Sequence, residues 1–406
     1  MFIERHIKKA FLERMKWNSA IVVTGARQVG KTTLIENILP DVPKVELDDK
    51  ITLQMAKNAT SQFMELNPPP VFIDEVQYAP EIFHYIKMIV DKNKEKGQYF
   101  LSGSQPFRLM KNVSESLTGR AGILTMYGLS MREIFNEKWH EPFLTTMEYL
   151  LERKKNHSEI KIKTIWNTIW RGSYPELYEK PDYPRDIFYS DYLKTYIERD
   201  IRDLARVGDE LQFIQFLRVI AARTGQILNL SDIAKDVQIS VPTAKHWLSI
   251  LETSGIVFLL MPYHYNFGKR VIKSPKVYFT DTGLSSYLAG WNSPESLMTG
   301  AMNGAYFETF VINEIIKSYV NCGKEAELYF FRDSNGVEID LLIYENGTLF
   351  PIEIKCTSEP KPNMIKAFKV IDGLYGIKRG EGGVICLSNQ LLPLIDKDKI
   401  IPLWAI

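Results

Sequence analysis

Residues 20–32 read AIVVTGARQVGKT, and the order of their parts decides the fold. The run from Ala20 to Thr24 has no polar alternation, which predicts a strand buried on both faces, as in a parallel sheet covered by helices. GARQVGKT, from Gly25 to Thr32, then fits G-x-x-x-x-G-K-[ST], following a strand and opening a helix as the chemistry requires. Successive main-chain N–H groups at a helix N-terminus form an anion cradle. Gly25 and Gly30 permit the tight path, and Ala26, Arg27, Gln28, Val29 and Thr33 complete the loop. Lys31 has the reach for β- and γ-phosphates, and the Thr32 hydroxyl can ligate Mg2+.

Outward from that loop, strand and helix patterns alternate: KTTLIENIL helix, KVELDD strand, a helix to about residue 65, VFIDE strand, EIFHYIKMIVDKNKEK helix, then QYFLSGS and AGILTMYGLS strands. Such alternation predicts an α/β fold, an open parallel sheet with helices on both faces. VFIDE places Asp74 at a strand's C-terminal end, suited to the Mg2+ shell, and Glu75 beside it, suited to polarising a water. Ser104 or Gln105, ending the QYFLSGSQ strand, can sense the γ-phosphate. Arg120, in SESLTGRAG, is either an arginine finger or a solvated or helix-capping arginine, with Arg27 and Arg108 as rivals.

Lys+Arg total 50 and Asp+Glu 49, a formal charge of +1, so any basic surface must be local. Cys322, Cys356 and Cys386 lack metal-ligand spacing and read as free thiols of a reducing cytosol. The charged, amphipathic start MFIERHIKKAFLERMKWN is not a signal peptide, and no apolar run approaches the roughly 20 residues of a membrane span. A cytoplasmic chain without membrane contact is expected. The pattern divides it into 1–135 (ATPase-like), 136–208 (helical connector), 209–265 (winged helix) and 266–406 (mixed α/β).

Within residues 210–262, Ser231 can cap one helix, and Ser240 followed by Pro242 can start another. Val241, Ala244, Leu248 and Leu251 then form a stripe, leaving Thr243, Lys245, His246 and Ser249 outward. A helix-turn-helix with a β-wing fits, and the wing holds Lys269, Arg270, Lys273 and Lys276. With Lys245, these cations can track phosphates of DNA or RNA. The alternative is a docking or spacer module, with His246 and His264 as surface or packing residues.

Residues 337–356, VEIDLLIYENGTLFPIEIKC, predict a hairpin about Asn346-Gly347. That turn sets Asp340 opposite Glu353 and Glu338 opposite Lys355, all on one face, with Ile339, Leu341, Ile343, Ile352 and Ile354 on the other. Facing carboxylates repel unless a cation lies between them. Glu308, on an apolar helical stripe with Ala305, Val311, Ile312 and Ile315, is a candidate third acid, whereas Glu314 beside Lys317 is expected in solvent. The alternatives are a structural network in which Lys355 neutralises the acids, with Glu338 as its cross-strand partner, and a fold retained with its activity lost.

With these residues in view, the chain resembles a widespread prokaryotic family of AAA-like P-loop ATPases whose C-terminal domain of unknown function looks like a restriction-endonuclease fold. The resemblance spans nearly the whole chain. It rests on GARQVGKT, VFIDEVQ, LSGS, SLTGR, YIERDI (Tyr196 to Ile201), PKVYFTDTGL, FRDSNGVEIDLLI and PIEIK. It implies an ATPase with an additional catalytic glutamate and a sensor strand between the two nucleotide motifs. Glu308, Asp340 and Glu353-Ile354-Lys355 resemble the PD-(D/E)xK nuclease pattern, with Ile339 in place of proline. There the acids would hold Mg2+ or Mn2+, and the lysine would assist the attacking water.

The expectation is therefore a Mg2+-dependent ATPase whose nucleotide state controls a winged-helix and nuclease-like C-terminal half, in an oligomer or alone. Its output is ATP-gated action on nucleic acid, or a regulatory switch that binds a protein or DNA partner.

Overall fold

The computed structural model describes residues 3–104, 116–157, 159–196, 210–263, 273–374 and 376–406. Strands β1 (Ala20–Thr24), β2 (Lys44–Glu46), β3 (Val71–Asp74), β4 (Tyr99–Gly103) and β5 (Ala121–Thr125) form a parallel sheet in the order β2-β3-β4-β1-β5. Every residue of β1 is buried, because helices cover both faces. Ile21 and Val23 join the core beneath α1 (Lys8–Trp17) and α2 (Lys31–Ile38), while Ala20 and Val22 join the opposite core with Phe83 and Ile86 of the Glu81–Asn93 helix. The expected α/β sheet is present, with the glycine-rich loop at the C-terminal end of its second-from-edge strand.

Neither major core stops at an expected boundary. Tyr174, Phe188, Tyr189, Tyr192 and Tyr196 share one core with Val23 of the parallel sheet and Trp247 of the Val241–Thr253 helix. Met131, Phe143, Trp166 and Ile169 instead join Phe310, Ile315 and Leu341 of the C-terminal half. The helical stretch after β5 is thus divided between two interiors, and burial of its large aromatics fixes both attachments.

The remaining strands are β6 (Gln226–Ile227), β7 (Val257–Pro262), β8 (Lys276–Phe279), β9 (Leu328–Arg332), β10 (Glu338–Glu345), β11 (Thr348–Lys355), β12 (Lys378–Arg379), β13 (Gly383–Cys386), β14 (Leu392–Ile395) and β15 (Asp398–Pro402). They build one mixed 10-stranded sheet, in which β7 pairs antiparallel with β8 and parallel with β9. The expected wing strands thus continue into the C-terminal sheet.

Local expectations hold unevenly. Ser240 caps the Val241–Thr253 helix by accepting from Thr243 N at 3.1 Å. The preceding helix is capped by Asn229, not Ser231, because the Asn229 side chain reaches both the Ser231 and Asp232 amides. Ala244, Leu248 and Leu251 are buried, but Val241 is exposed at the first turn, and Trp247 takes its place in the core. The hairpin register is as expected from Leu341↔Ile352 to Glu345↔Thr348. A register shift against β9 between Ile339 and Leu342 turns Ile339 to the opposite core from Leu341, Ile343, Ile352 and Ile354.

Glu314 is not in solvent. It lies buried on the Asn303–Val320 helix, accepting from Met131 N at 2.7 Å and pairing with Lys317 at 2.9 Å. Lys317 also donates to Leu129 O at 2.9 Å, so this pair clamps the segment leaving β5 to the C-terminal half. Among the described residues, no helix is long and apolar enough to cross a membrane. Glu314→Ala would strip Lys317 and the Met131 amide of their partner inside the protein. We expect a loss of about 3 kcal/mol, read as a lower urea midpoint, and an unchanged midpoint would deny the clamp.

Candidate functional site

The glycine-rich loop earns its glycines geometrically. Gly25 has φ 151°, and a Cβ there would lie 2.1 Å from the Met126 carbonyl oxygen. Gly30 has φ 93° and is the N-cap of α2, so the loop turns directly into the helix N-terminus. The loop borders a cleft of about 580 Å³, also lined by Lys44, Glu46, Asp48, Asp74, Glu75 and Thr195. Lys31 is buried in its wall, donating to Gly25 O at 3.1 Å and Ala26 O at 2.8 Å.

The acidic strand end meets the loop as the motif order requires. Thr32 Oγ1 donates to Asp74 Oδ2 at 2.8 Å, and Asp74 Oδ1 accepts from the Ser102 hydroxyl and from Glu75 N. A hydroxyl and a carboxylate in contact on the cleft wall are hard oxygen donors, a set that fits Mg2+ together with phosphate and water oxygens. Glu75 adopts the left-handed conformation at φ 55°, which turns it back over β4. Its Oε2 accepts from Gln77 Nε2 at 2.5 Å and from Ser104 Oγ at 3.0 Å. Burial pushes the Glu75 carboxyl up, but Lys31, Gln77, Arg27 and Ser104 outweigh it and hold its pKa below the ordinary value. Arg27 reaches Tyr78 OH at 3.2 Å, beside the same cleft. Gln105 and Arg108 fall outside the described residues.

Arg120 is elsewhere. Its carbonyl accepts from Ser19 N and Ala20 N at the N-terminal end of β1, a strand's length (about 16 Å) from the loop. Its guanidinium pairs with Asp91 at the surface. That placement sets Arg120 away from the chain's own cleft and matches the solvated-arginine alternative.

The C-terminal acids converge, but around ammonium groups. Lys355 Nζ lies 2.7 Å from Asp340 Oδ2 and 2.7 Å from Glu353 Oε2, filling the position expected for a divalent cation. Asp340 Oδ2 also accepts from Ile354 N at 2.8 Å. Glu308 accepts from Lys276 at 3.0 Å and Tyr278 OH at 2.5 Å. Glu338 pairs with Lys276 at 2.6 Å and Arg332 at 2.9 Å. Burial and the Asp340 charge push the Glu353 carboxyl up to about 9. For Asp340, burial works upward but Lys355 and Lys276 outweigh it and hold the carboxyl low. Among the described residues no group of three or more His, Cys, Asp or Glu is arranged to hold a metal ion, and with Lys355 between them Asp340 and Glu353 are already neutralised by an ammonium.

The same network corrects the wing. Lys276, expected to face phosphates, is buried in β8 with its side chain only 4% exposed, since Glu308 and Glu338 compensate its charge. Lys245, His246 and Lys273 are exposed, whereas His264, Lys269 and Arg270 fall outside the described residues. Sequence reading missed Ser102 and Gln77, although both sit inside the quoted LSGS and VFIDEVQ motifs. It also missed Lys44 and Thr195, which carry no motif and reach the cleft only through the fold.

Comparison with known proteins matches three regions of the chain. Residues 18–135 match the family described as AAA domain, while residues 162–295 and 303–406 match two domains of unknown function, DUF8612 and DUF4143. Uncharacterized protein Rv2008c of Mycobacterium tuberculosis and uncharacterized protein Mb2031c of Mycobacterium bovis are each 28% identical over 413 residues, covering 99% of this chain and 84% of theirs. Among solved structures, the Walker-type ATPase paby2304 of Pyrococcus abyssi aligns with TM-score 0.44 at 16% identity, covering 71% of this chain and 96% of that one. The RuvB Holliday junction branch migration motor of Thermotoga maritima aligns with TM-score 0.31 at 13% identity, covering 62% and 88%. The family match over residues 18–135, together with the loop, the acidic strand end and the parallel strand order, supports an AAA-type P-loop ATPase family for the N-terminal domain.

Proposed function

We propose that the chain is a Mg2+-dependent ATPase that works as a nucleotide-driven switch on its own C-terminal half. The observation that carries this reading is the meeting of Lys31, the Thr32–Asp74 pair and Glu75 on one cleft beside the helix N-terminus. Loop amides bind the phosphates, and Lys31 exchanges the Gly25 and Ala26 carbonyls for phosphate oxygens. Thr32 and Asp74 would hold Mg2+, which neutralises charge on the β- and γ-phosphates when bound. Glu75 orients a water and takes its proton as the oxygen attacks the γ-phosphorus and the bond to ADP breaks. Ser104 and Gln77 hold the Glu75 carboxylate and so register whether a γ-phosphate is present.

A route outward supports the switch. The left-handed turn at Gly255, which ends the Val241–Thr253 helix region, abuts Ala26, with a Cβ there 3.4 Å from Ala26 N. Tyr196 OH meets Ser254 Oγ at 2.7 Å, one residue after cleft-lining Thr195. Movement of the loop therefore presses on the helix that carries Lys245. On this reading the C-terminal half binds a nucleic-acid or protein partner, with exposed Lys245 and Lys273 on the nucleic-acid side. The second reading, ATP-gated cleavage of nucleic acid, is favoured by the convergence of Asp340, Glu353 and Lys355. It requires Lys355 to leave its bridging position.

Lys31→Ala should abolish ATP binding by calorimetry. Glu75→Gln should bind ATP but turn over at least about a hundredfold more slowly, and equal rates would assign water activation elsewhere. For the C-terminal half, Asp340→Ala and Glu353→Ala should remove Mn2+-dependent nicking and spare ATP turnover if the second reading is right. A purified wild-type chain that nicks no DNA or RNA with ATP and Mg2+ or Mn2+ would discard that reading. DNA affinity should fall with salt, less steeply once Lys245, Lys269, Arg270 and Lys273 are neutralised, and an unchanged slope removes those cations from the interface.

A further inference from the structure

Arg5 lies 24 residues before Val29, outside every motif, yet its guanidinium is buried against the glycine-rich loop. Nη1 donates to Val29 O at 2.7 Å, and Nη2 donates to Tyr127 O at 2.7 Å and Gly128 O at 3.3 Å. Nε donates to Glu133 Oε1 at 3.0 Å. Glu133 is itself fixed, accepting from His6 N at 2.8 Å and, in a capping box, from Ser130 N at 2.7 Å. Burial raises the Glu133 carboxyl, but Arg5 and the Ser130 and His6 bonds outweigh it, so the pair stays ionised.

We propose that Arg5 is a positioning residue for the phosphate cradle, holding the Val29–Gly30 peptide so that its N–H faces the cleft. A trans peptide carries its C=O and the next N–H on opposite sides. With the Val29 carbonyl drawn onto the guanidinium, the Gly30 N–H is directed away from Arg5, toward the cleft that Gly30 and Lys31 line. Gly30 is the residue whose freedom of rotation would otherwise let this peptide turn over, presenting an oxygen to phosphate instead of a hydrogen. A charged, forked donor suits the task because charge-assisted bonds are about twice as strong as neutral ones and the fork fixes direction. The same fork grips Tyr127 and Gly128 at the exit of β5, next to Met126, whose carbonyl oxygen backs Gly25. One side chain therefore sets both ends of the loop. Arg5 and Val29 do not touch the cleft's reacting groups, so the role is preorganisation.

This inference rests on the nucleotide reading above, and its test separates the two. In the full chain, KM for MgATP, kcat and thermal unfolding would be measured for wild type, Arg5→Met, Arg5→Lys and Lys31→Ala. For Arg5→Met we expect KM about tenfold higher and kcat within about threefold, since a ground-state binding contact is lost evenly. Tripolyphosphate alone, as competitor, should weaken by a similar factor. Arg5→Lys, which keeps the charge opposite Glu133 but loses the fork, should fall between. Should Arg5→Met fail to fold, Arg5→Lys decides: a raised KM at wild-type melting temperature supports the role, and a wild-type KM overturns it. Wild-type KM in folded Arg5→Met, or loss of kcat with KM unchanged, overturns it as well. A wild-type chain indifferent to ATP, indistinguishable from Lys31→Ala, sinks the nucleotide reading and this inference with it.

Discussion

A charge taken out of water must be met by an opposite charge or by several hydrogen-bond partners, and that requirement organises this interior. Leaving a buried ion unmatched costs several kcal/mol. Arg5 with Glu133, Lys317 with Glu314, Arg153 with Glu137, and Lys276 with Glu308 and Glu338 all satisfy it. These pairs are not scattered. Arg5 and Glu133 brace the glycine-rich loop against the exit of β5, Glu314 and Lys317 brace that exit against the Asn303–Val320 helix, and Glu308 on the same helix reaches β8 and β10 through Lys276. A line of matched charges therefore joins the glycine-rich loop to the C-terminal sheet.

The two large cores lead to the same picture by apolar means. Tyr189, Tyr192 and Tyr196 bind the middle helices to the parallel sheet, and Trp166 and Ile169 bind the preceding helix to the C-terminal half. Because β7 pairs with β9, strands β7 and β8, which would form a wing, are also interior members of a larger sheet. Close-packed cores shift between discrete arrangements more readily than they deform, which is the property the proposed switch would draw on.

The parallel sheet, its glycine-rich loop, the paired acids of VFIDE and the Asn346-Gly347 hairpin were all legible in the sequence. Each rests on contacts between near neighbours in the chain: a tight turn, a helix N-terminus, a strand end, a period of two. Asp74 and Thr32 could be placed together because the order of strands in such a sheet is strongly constrained. The misreadings have the opposite character. Lys317 alone suggests a solvated Glu314, because Met131 comes from a distant segment. The cationic neighbours of Lys276 in sequence suggest an exposed side chain, because Glu308 and Glu338 are far along the chain. Strict alternation gives Ile339 the wrong face, because the register shift against β9 breaks it.

By itself, then, the sequence determined that a glycine-rich loop opening a helix stands on a helix-covered parallel sheet and that a carboxylate-bearing hairpin stands near the other end. Periodicity and turn stereochemistry are local and survive without knowledge of the rest. Only the tertiary structure decided which charges face one another: that Lys355 bridges Asp340 and Glu353, that Arg120 lies a strand's length from the loop, and that Arg5 lies against it. Electrostatic partners are chosen by distance in space, since the attraction weakens in inverse proportion to separation, and chain order carries almost no information about that distance.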